Sequence, residues 1–519
     1  MAFAMVTTAV RQTPTIDEPV YVGAAAEYTH QHRLRHNPEH PPLGKLVIGA
    51  GVTLADPRVD SSFTGDQGAV GRHLLYETGN APWRLMLWAR LPVIALTLLF
   101  GLVVFAFARE LAGTAGALAA LALYCFSPDV IAHGSLATLD VPAAGFVLTS
   151  AWLLWRARRG PGLYVPLAGV ALGAALATKM STLPAVPVLM AVAAVSVWHA
   201  SAGGRGRDAA GQVLVRAVAG AGVVALAAVA VVWVTYLMVD PRLLWTPEQH
   251  VPTVRGLRGL LVEALPFPEA YRDGMRIQFG LEYRPWQGFL FGRLYSGSLW
   301  YYLPAALLVK TPLGMLALWG AGAVVVVAVR RLRPAASYVL AAPVVLLAAA
   351  MQGARDLGTR YAVFLPLFLA VAAGCVLVVR RRWVSVVVGA LVAFVAVSSL
   401  RAYPYYLPYS NEAFGGPGRT REFLHDSNVD WGQDLGRLAE RLRERYAGER
   451  VWLVYKGSGV PSFYGIRARD PRRVPVGDVR GVLVVSDSAA AKATGRLAEL
   501  LGGSRPVDDV GHSITIYRR

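Results

Sequence analysis

The sequence predicts an all-α polytopic membrane bundle of about eleven spans, with a small C-terminal α/β domain on the extracytoplasmic side. Three observations predict it. The 519 residues are 55% hydrophobic and only 16% charged, against roughly 25% charged in soluble domains. The apolar residues gather into windows of about 20, the length that crosses a bilayer as a helix. The arginines fall in short clusters between alternate windows, as in loops held on the cytoplasmic side.

Taken in order, Ala2 to Val10 is apolar but too short to cross alone. It lacks the basic start of a signal peptide and reads as a first helix whose beginning is missing. Candidate spans follow near 88–108, 114–133, 141–156, 162–178, 183–199, 214–238, 312–330, 336–351, 360–379 and 383–400. Arg109 opens a series of basic loops. Arg156, Arg158 and Arg159, then Arg205 and Arg207, then Arg330, Arg331 and Arg333, then Arg380, Arg381 and Arg382 mark every second connection after it. Those loops are expected to be cytoplasmic. The alternate connections, 11–82 and 239–311, and everything after 400 are then outside. The chain divides into a membrane unit, 1–400, and a soluble unit, 401–519. In the latter, Leu435–Tyr446 reads as a helix, and Val451–Tyr455, Gly481–Ser486 and Ser513–Tyr517 read as strands. Ala489–Leu501 reads as a second helix capped by Ser488.

The net charge of +18 does not point to nucleic acid, because the arginines are dispersed in short loops rather than set in one patch. The partner that the composition requires is the lipid bilayer. Cys125 and Cys375 both lie in apolar runs, so neither a disulfide framework nor a thiolate metal site is implied. Of the 51 basic residues only five are lysine: Lys45, Lys179, Lys310, Lys456 and Lys492. With the abundant Ala, Gly and Val, this fits a GC-rich bacterial genome, and so a bacterial plasma membrane.

Polar residues collect at one set of helix ends. Asp140 precedes Val141-Pro142, Thr178-Lys179 closes a span, and Arg360 opens one. Lys310 precedes Thr311-Pro312, which reads as an N-cap followed by proline at the first helical position. Snorkelling or capping explains each alone; their gathering on the outer side favours a site. Lys45 lies on the same side. The run Gly297–Pro304, with Tyr301 and Tyr302, suits an aromatic belt or a segment beside a lipid tail. The first outer loop carries Asp17-Glu18-Pro19 and Tyr21, then Asn37-Pro38-Glu39-His40-Pro41-Pro42 up to Lys45. The adjacent acids alone are equally a helix N-terminus.

Together these stretches resemble the GT-C membrane glycosyltransferases, and within them the protein O-mannosyltransferase and aminoarabinose transferase group of phospholipid-carrier-dependent enzymes. The matching residues are Asp17-Glu18-Pro19, Asn37 to Lys45, Ser127-Pro128 through His133-Gly134 to Thr138–Pro142, Thr178-Lys179, Lys310–Pro312, Arg360-Tyr361, Asn411-Glu412 and Asp426–Asp434. The resemblance implies a polyprenyl-phosphate sugar donor, a hydroxyl-bearing acceptor and an inverting transfer. It implies that Asp17 and Asp140 are the two acids of the site, with Glu18 beside them. His40 stands where the aminoarabinose transferases carry a lysine; neutral, it gives a hydrogen bond, and protonated, a charge.

The chemistry agrees. Displacing a phosphate builds negative charge on the leaving group, which fixed cations in a dry site stabilise. Lys179, Lys310, Arg360, His40, Lys45 and Arg293 are the candidates. A carboxylate must accept the proton of the attacking hydroxyl, and in-line attack puts it across the sugar from the cations. Tyr21, Tyr301, Tyr302, Asn411, Glu412, Asp430 and Trp431 are candidates for acceptor or sugar contact. Asp430 and Asn428 read equally as caps of the Leu435 helix. No cofactor is expected: no cluster has metal-ligand spacing, although Asp17, Glu18 and Asp140 could share a weakly held divalent ion. The rival is a flippase of lipid-linked sugars, which would favour charges near the midplane and internal repeats; neither is evident.

Overall fold

The computed structural model describes residues 1–202 and 210–519. Arg205 and Arg207 lie outside the described residues. Among the described residues, five helices are long and apolar enough to cross a membrane: Pro82–Cys125, Pro161–Thr178, Ala210–Val239, Arg333–Ala350 and Arg382–Ala402. Shorter apolar helices accompany them, including Ala2–Arg11, Leu313–Ala328 and Phe364–Val378. The chain is a multi-pass membrane protein.

The expected spans 88–108 and 114–133 run together as Pro82–Cys125, 44 residues. Straight, that would measure about 66 Å, twice the hydrocarbon thickness. The chain reverses instead at Gly113, whose φ of 76° and ψ of −174° suit a residue without Cβ. The second arm ends at Cys125, short of the expected 133. Ser127 then starts a separate helix, Pro128–Gly134, by accepting from the Val130 amide at 3.4 Å. Another difference lies at Thr311-Pro312. Thr311 ends the helix Tyr302–Lys310, and Pro312 itself is the N-cap of Leu313–Ala328, with no side-chain cap.

The large connections are structured. Residues 11–82 contain Glu18–His30, Pro42–Ala55 and Gln67–Tyr76. Residues 239–311 contain Gly256–Ala264, Glu269–Glu282, a hairpin of Gln287–Leu290 with Arg293–Ser296, and Tyr302–Lys310. Residues 403–434 form turns laid across the helix ends. The Asn411 amide donates to the Val309 carbonyl at 2.9 Å, and the Ser427 amide to Leu357 at 3.2 Å.

The α/β domain proper begins at Leu435. Its five strands run in the order Ala468–Arg469, Val451–Val454, Val482–Ser486, Ile514–Arg518 and Arg505–Val510. The first three are parallel neighbours and the last two antiparallel. Strand alternation sends Val482 and Val484 to the helix Leu435–Arg445, and Leu483 and Val485 to Leu497 and Leu500 on the other face. Two sequence expectations are corrected here. Ala489–Leu501 is two helices, Asp487–Ala491 and Gly495–Gly502, parted where Thr494 is extended and Gly495 takes φ 53°. Ser488 caps neither; its hydroxyl donates to the Asp430 carbonyl at 2.9 Å.

Candidate active site

The segment before the helix Glu18–His30 is tied down by main-chain bonds. The Thr13 amide donates to Gln433 and the Ile16 amide to Trp431, both at 2.9 Å. This leaves Asp17 at the helix N-cap, making no cap bond. Its carboxylate lies 2.5 Å from an Arg360 Nη1. Arg360 is held in the turn Thr359–Ala362, where the Thr359 amide donates to Asn428 Oδ1 at 3.1 Å. Its guanidinium rests 4.4 Å from the Trp431 ring and 5.1 Å from that of Tyr361.

A second pair stands beside the first. Asp140 opens the helix Asp140–Ala157, and Lys179 is the extended residue that ends Pro161–Thr178. Antiparallel packing brings these ends together, with Lys179 Nζ 2.5 Å from an Asp140 oxygen. Lys179 also lies 5.5 Å from the Tyr361 ring. Tyr361 therefore takes both cations, on an electron-rich face that attracts them. Tyr21, whose phenol is raised well above its ordinary pKa first by burial, feels Asp17, Asp140 and Arg360 together. Two carboxylates and two cations, distant in sequence, thus share one cluster. The expectation that base and cations face each other across the sugar is not the arrangement found, since Arg360 is on Asp17 itself.

His40 joins this cluster. Lys45 Nζ donates to the Asn37 and His40 carbonyls at 2.6 and 2.7 Å, and lies 4.9 Å from the Tyr28 ring. These bonds tie Lys45 to the His40 turn. Burial first, then Lys179 and Lys45, holds the His40 imidazole well below its ordinary pKa, which selects the neutral, hydrogen-bonding form.

Other expected residues are occupied elsewhere. Glu18 is a correction. Its buried carboxylate binds Arg90 at 2.6 and 2.7 Å and accepts from the Thr15 and Ala137 amides at 2.9 and 2.8 Å. Burial alone would raise its pKa; Arg90 and these donors outweigh burial and lower it. Glu18 therefore cannot share an ion with Asp17 and Asp140. Lys310 donates to Leu407 and Asn428 carbonyls at 2.5 and 3.0 Å and faces Asp129 at 3.8 Å. Tyr302 is buried, its hydroxyl accepting from Asn428 at 2.9 Å. Asn411 is buried and donates to Leu308 and Thr311 carbonyls. Arg293, Tyr301 and Glu412 are exposed. Trp431 is buried beneath Arg360, and Asp430 accepts from the Gly432 and Ser488 amides. Neither Asp430 nor Asn428 caps the Leu435 helix, whose first amide donates to Thr13 Oγ1 at 3.2 Å.

The sequence reading passed over Arg90, and it quoted Tyr361 and His133 among the matching residues without giving either a role. Arg90 was the legible one, a lone charge inside an apolar window. Beside Asp17 opens a cavity of about 1040 Å³, whose wall includes Ile16, Pro19, Asn37, Gln67, Arg72 and Lys456. Lys456 and its neighbour Ser458 belong to the α/β domain. Ser458 Oγ donates to the Thr15 carbonyl at 2.8 Å, closing that wall two residues from Asp17.

Residues 2–240 match the family model described as dolichyl-phosphate-mannose-protein mannosyltransferase. The match shows the GT-C glycosyltransferase resemblance; it covers Asp17, His40, Asp140 and Lys179 and stops short of Arg360. A search of curated proteins finds no significant match. Among solved structures, that of ArnT from Cupriavidus metallidurans bound to undecaprenyl phosphate aligns at TM-score 0.46 and 14% identity, over 99% of this chain and 96% of that one. Its apo state aligns at 0.44 and 14%, over 99% and 95%.

Proposed function

We propose, from a chain whose residues 2–240 carry the mannosyltransferase-family match, that the protein transfers a sugar from a polyprenyl-phosphate carrier to a hydroxyl acceptor. Mannose is the first candidate. The anomeric carbon inverts in the transfer. The site faces the extracytoplasmic side of a bacterial inner membrane, in a bundle of eleven spans whose Arg-rich loops are cytoplasmic. The observation that carries this reading is the meeting of the Asp17–Arg360 and Asp140–Lys179 pairs on Tyr361, at helix ends and next to an open cavity.

In the proposed step the acceptor hydroxyl enters from the cavity. Asp17, the more accessible acid, takes its proton as the oxygen attacks the anomeric carbon. The new C–O bond forms while the bond from that carbon to the phosphate oxygen breaks. The departing phosphate carries the negative charge, which Lys179 stabilises from a fixed position, while Arg360 stays on the Asp17 carboxylate. Asp140 holds Lys179 in place.

Proteoliposomes supplied with radiolabelled polyprenyl-phosphate mannose and extracted envelope glycans and proteins test this. One labelled acceptor is expected for each polyprenyl phosphate released. Label that crosses the bilayer still attached to its carrier would favour the flippase and overturn the transferase reading.

A further inference from the structure

Most polar groups around the two ion pairs are spent. Asp17 holds Arg360 and Asp140 holds Lys179. His133 is different. It is 1% exposed, yet among the described residues neither ring nitrogen has a hydrogen-bond partner. The ring is fixed from behind. It ends the short helix Pro128–Gly134 and meets Trp431 edge-on, with ring centroids 6.1 Å apart. Trp431 in turn supports Arg360. The charges that act on His133 are Asp140, Lys310, Arg360 and Lys179, so it belongs to the same cluster. A second imidazole, His40, feels the same Lys179–Asp140 pair, and its buried Nδ1 is also unpartnered among the described residues.

Buried donors and acceptors are seldom left unpaired, because the lost water bonds are costly. They persist where a ligand completes them. We infer that His133 is a specificity-determining residue that reads the donor sugar, giving one hydrogen bond to a ring hydroxyl and accepting one from its neighbour. This rests on the glycosyl-transfer reading above. The chemistry selects the sugar over the phosphate. A neutral imidazole offers one N–H and one lone pair. Adjacent hydroxyls, which both donate and accept, match the two. A phosphate only accepts; it would satisfy the N–H and set its charge against the lone pair. Lys179, which carries no lone pair, suits it better.

The test uses the full-length protein in proteoliposomes with polyprenyl-phosphate mannose and its 2-, 3-, 4- and 6-deoxy analogues. Wild type, His133→Ala and His133→Gln are compared, with thermal unfolding recorded for each. Wild type is expected to lose about 100-fold or more in kcat/KM on one deoxy donor, since a site built around a hydroxyl rejects its absence strongly. His133→Ala is expected to lose as much on the parent donor and to stop distinguishing that one analogue, while discrimination at the other hydroxyls stays. His133→Gln, which keeps a donor and an acceptor, is expected to recover part of the parent rate. If His133→Ala does not fold, the glutamine variant carries the test through a changed preference at the same hydroxyl. A folded variant with the wild-type analogue profile, or a wild type indifferent to every deoxy donor, overturns this inference and leaves glycosyl transfer standing. A wild type that transfers no sugar from any of these donors overturns both.

Discussion

The Asp17 side chain keeps 27% of its surface exposed beside the cavity, whereas that of Asp140 keeps 3%. In the proposed step this difference divides the labour: Asp17 for the proton, Asp140 for Lys179. Glu18, next in sequence, serves the fold. It and Arg90 are both buried, and Arg90 also donates to the Ala9, Gln12 and Thr13 carbonyls. Removing one partner of such a pair strands the other charge, at a cost of about 3–5 kcal/mol. Glu18→Ala is therefore expected to lower the melting temperature and yield sharply. A variant as stable as wild type would show that the pair is dispensable. The acids and cations at helix ends were legible because each interrupts an apolar pattern. The partner of Glu18 was not, since Arg90 lies 72 residues away and only the fold brings it near. Lys310 looked like a phosphate ligand for the same reason that it is an anchor: a cation at a helix end serves carbonyls as readily as an anion.

Two elements carry consequences of their own. The second arm of Pro82–Cys125 crosses Phe364–Gly374 where Gly116 meets Gly374. A Cβ on Gly374 would come within 2.4 Å of the Gly116 carbonyl oxygen, which is backbone and cannot swing aside. Gly374→Ala is expected to cost about 1–3 kcal/mol, as overpacking does, read as a lower melting temperature in detergent. An unchanged value would contradict the close crossing. The segment Asp426–Asp434 is the other. Burial, against the pull of Lys456 and the Gly432 and Ser488 amides and helped by Asp487, pushes the Asp430 carboxyl up to about 7. The free carboxyl titrates near 3.8. Between these values the folded chain holds a proton that the unfolded chain releases, so this contribution is complete below about pH 4 and lost as pH rises through 7. His36, between Glu27 and Glu248 with its pKa raised, acts in the same sense. Asp426, held at about 2 by Lys456 against burial, changes only in stronger acid. His40, held neutral, opposes Asp430 and His36 as pH falls, so the Asp430 share is read as a difference: wild type is expected to gain melting temperature relative to Asp430→Asn from pH 8 to pH 5. An identical slope in the variant would remove Asp430 from the account.

At the scale of the molecule, the first outer segment and the C-terminal domain form one cap over the helix ends. Thr13 and Ile16 bond to 431–433, Thr15 to Ser458, and the Tyr76 and Tyr464 hydroxyls meet at 3.2 Å. The apolar windows announced the bundle because bilayer thickness fixes helix length. The strands at 451–454, 482–486 and 514–518 showed because they are apolar runs of the right length. Arg505–Val510 escaped notice: it is an edge strand, mostly exposed, and carries Pro506, Asp508 and Asp509. The cap could not be read, because its bonds join the two ends of the chain. It nonetheless frames the cavity beside Asp17, on which the proposed chemistry depends. The most direct measurement is therefore the rate of label transfer from polyprenyl-phosphate mannose by Asp17→Asn against wild type, in proteoliposomes holding equal amounts of folded protein. A loss of about 100-fold or more, the worth of a general base, is expected per folded molecule. Transfer at the wild-type rate would contradict it.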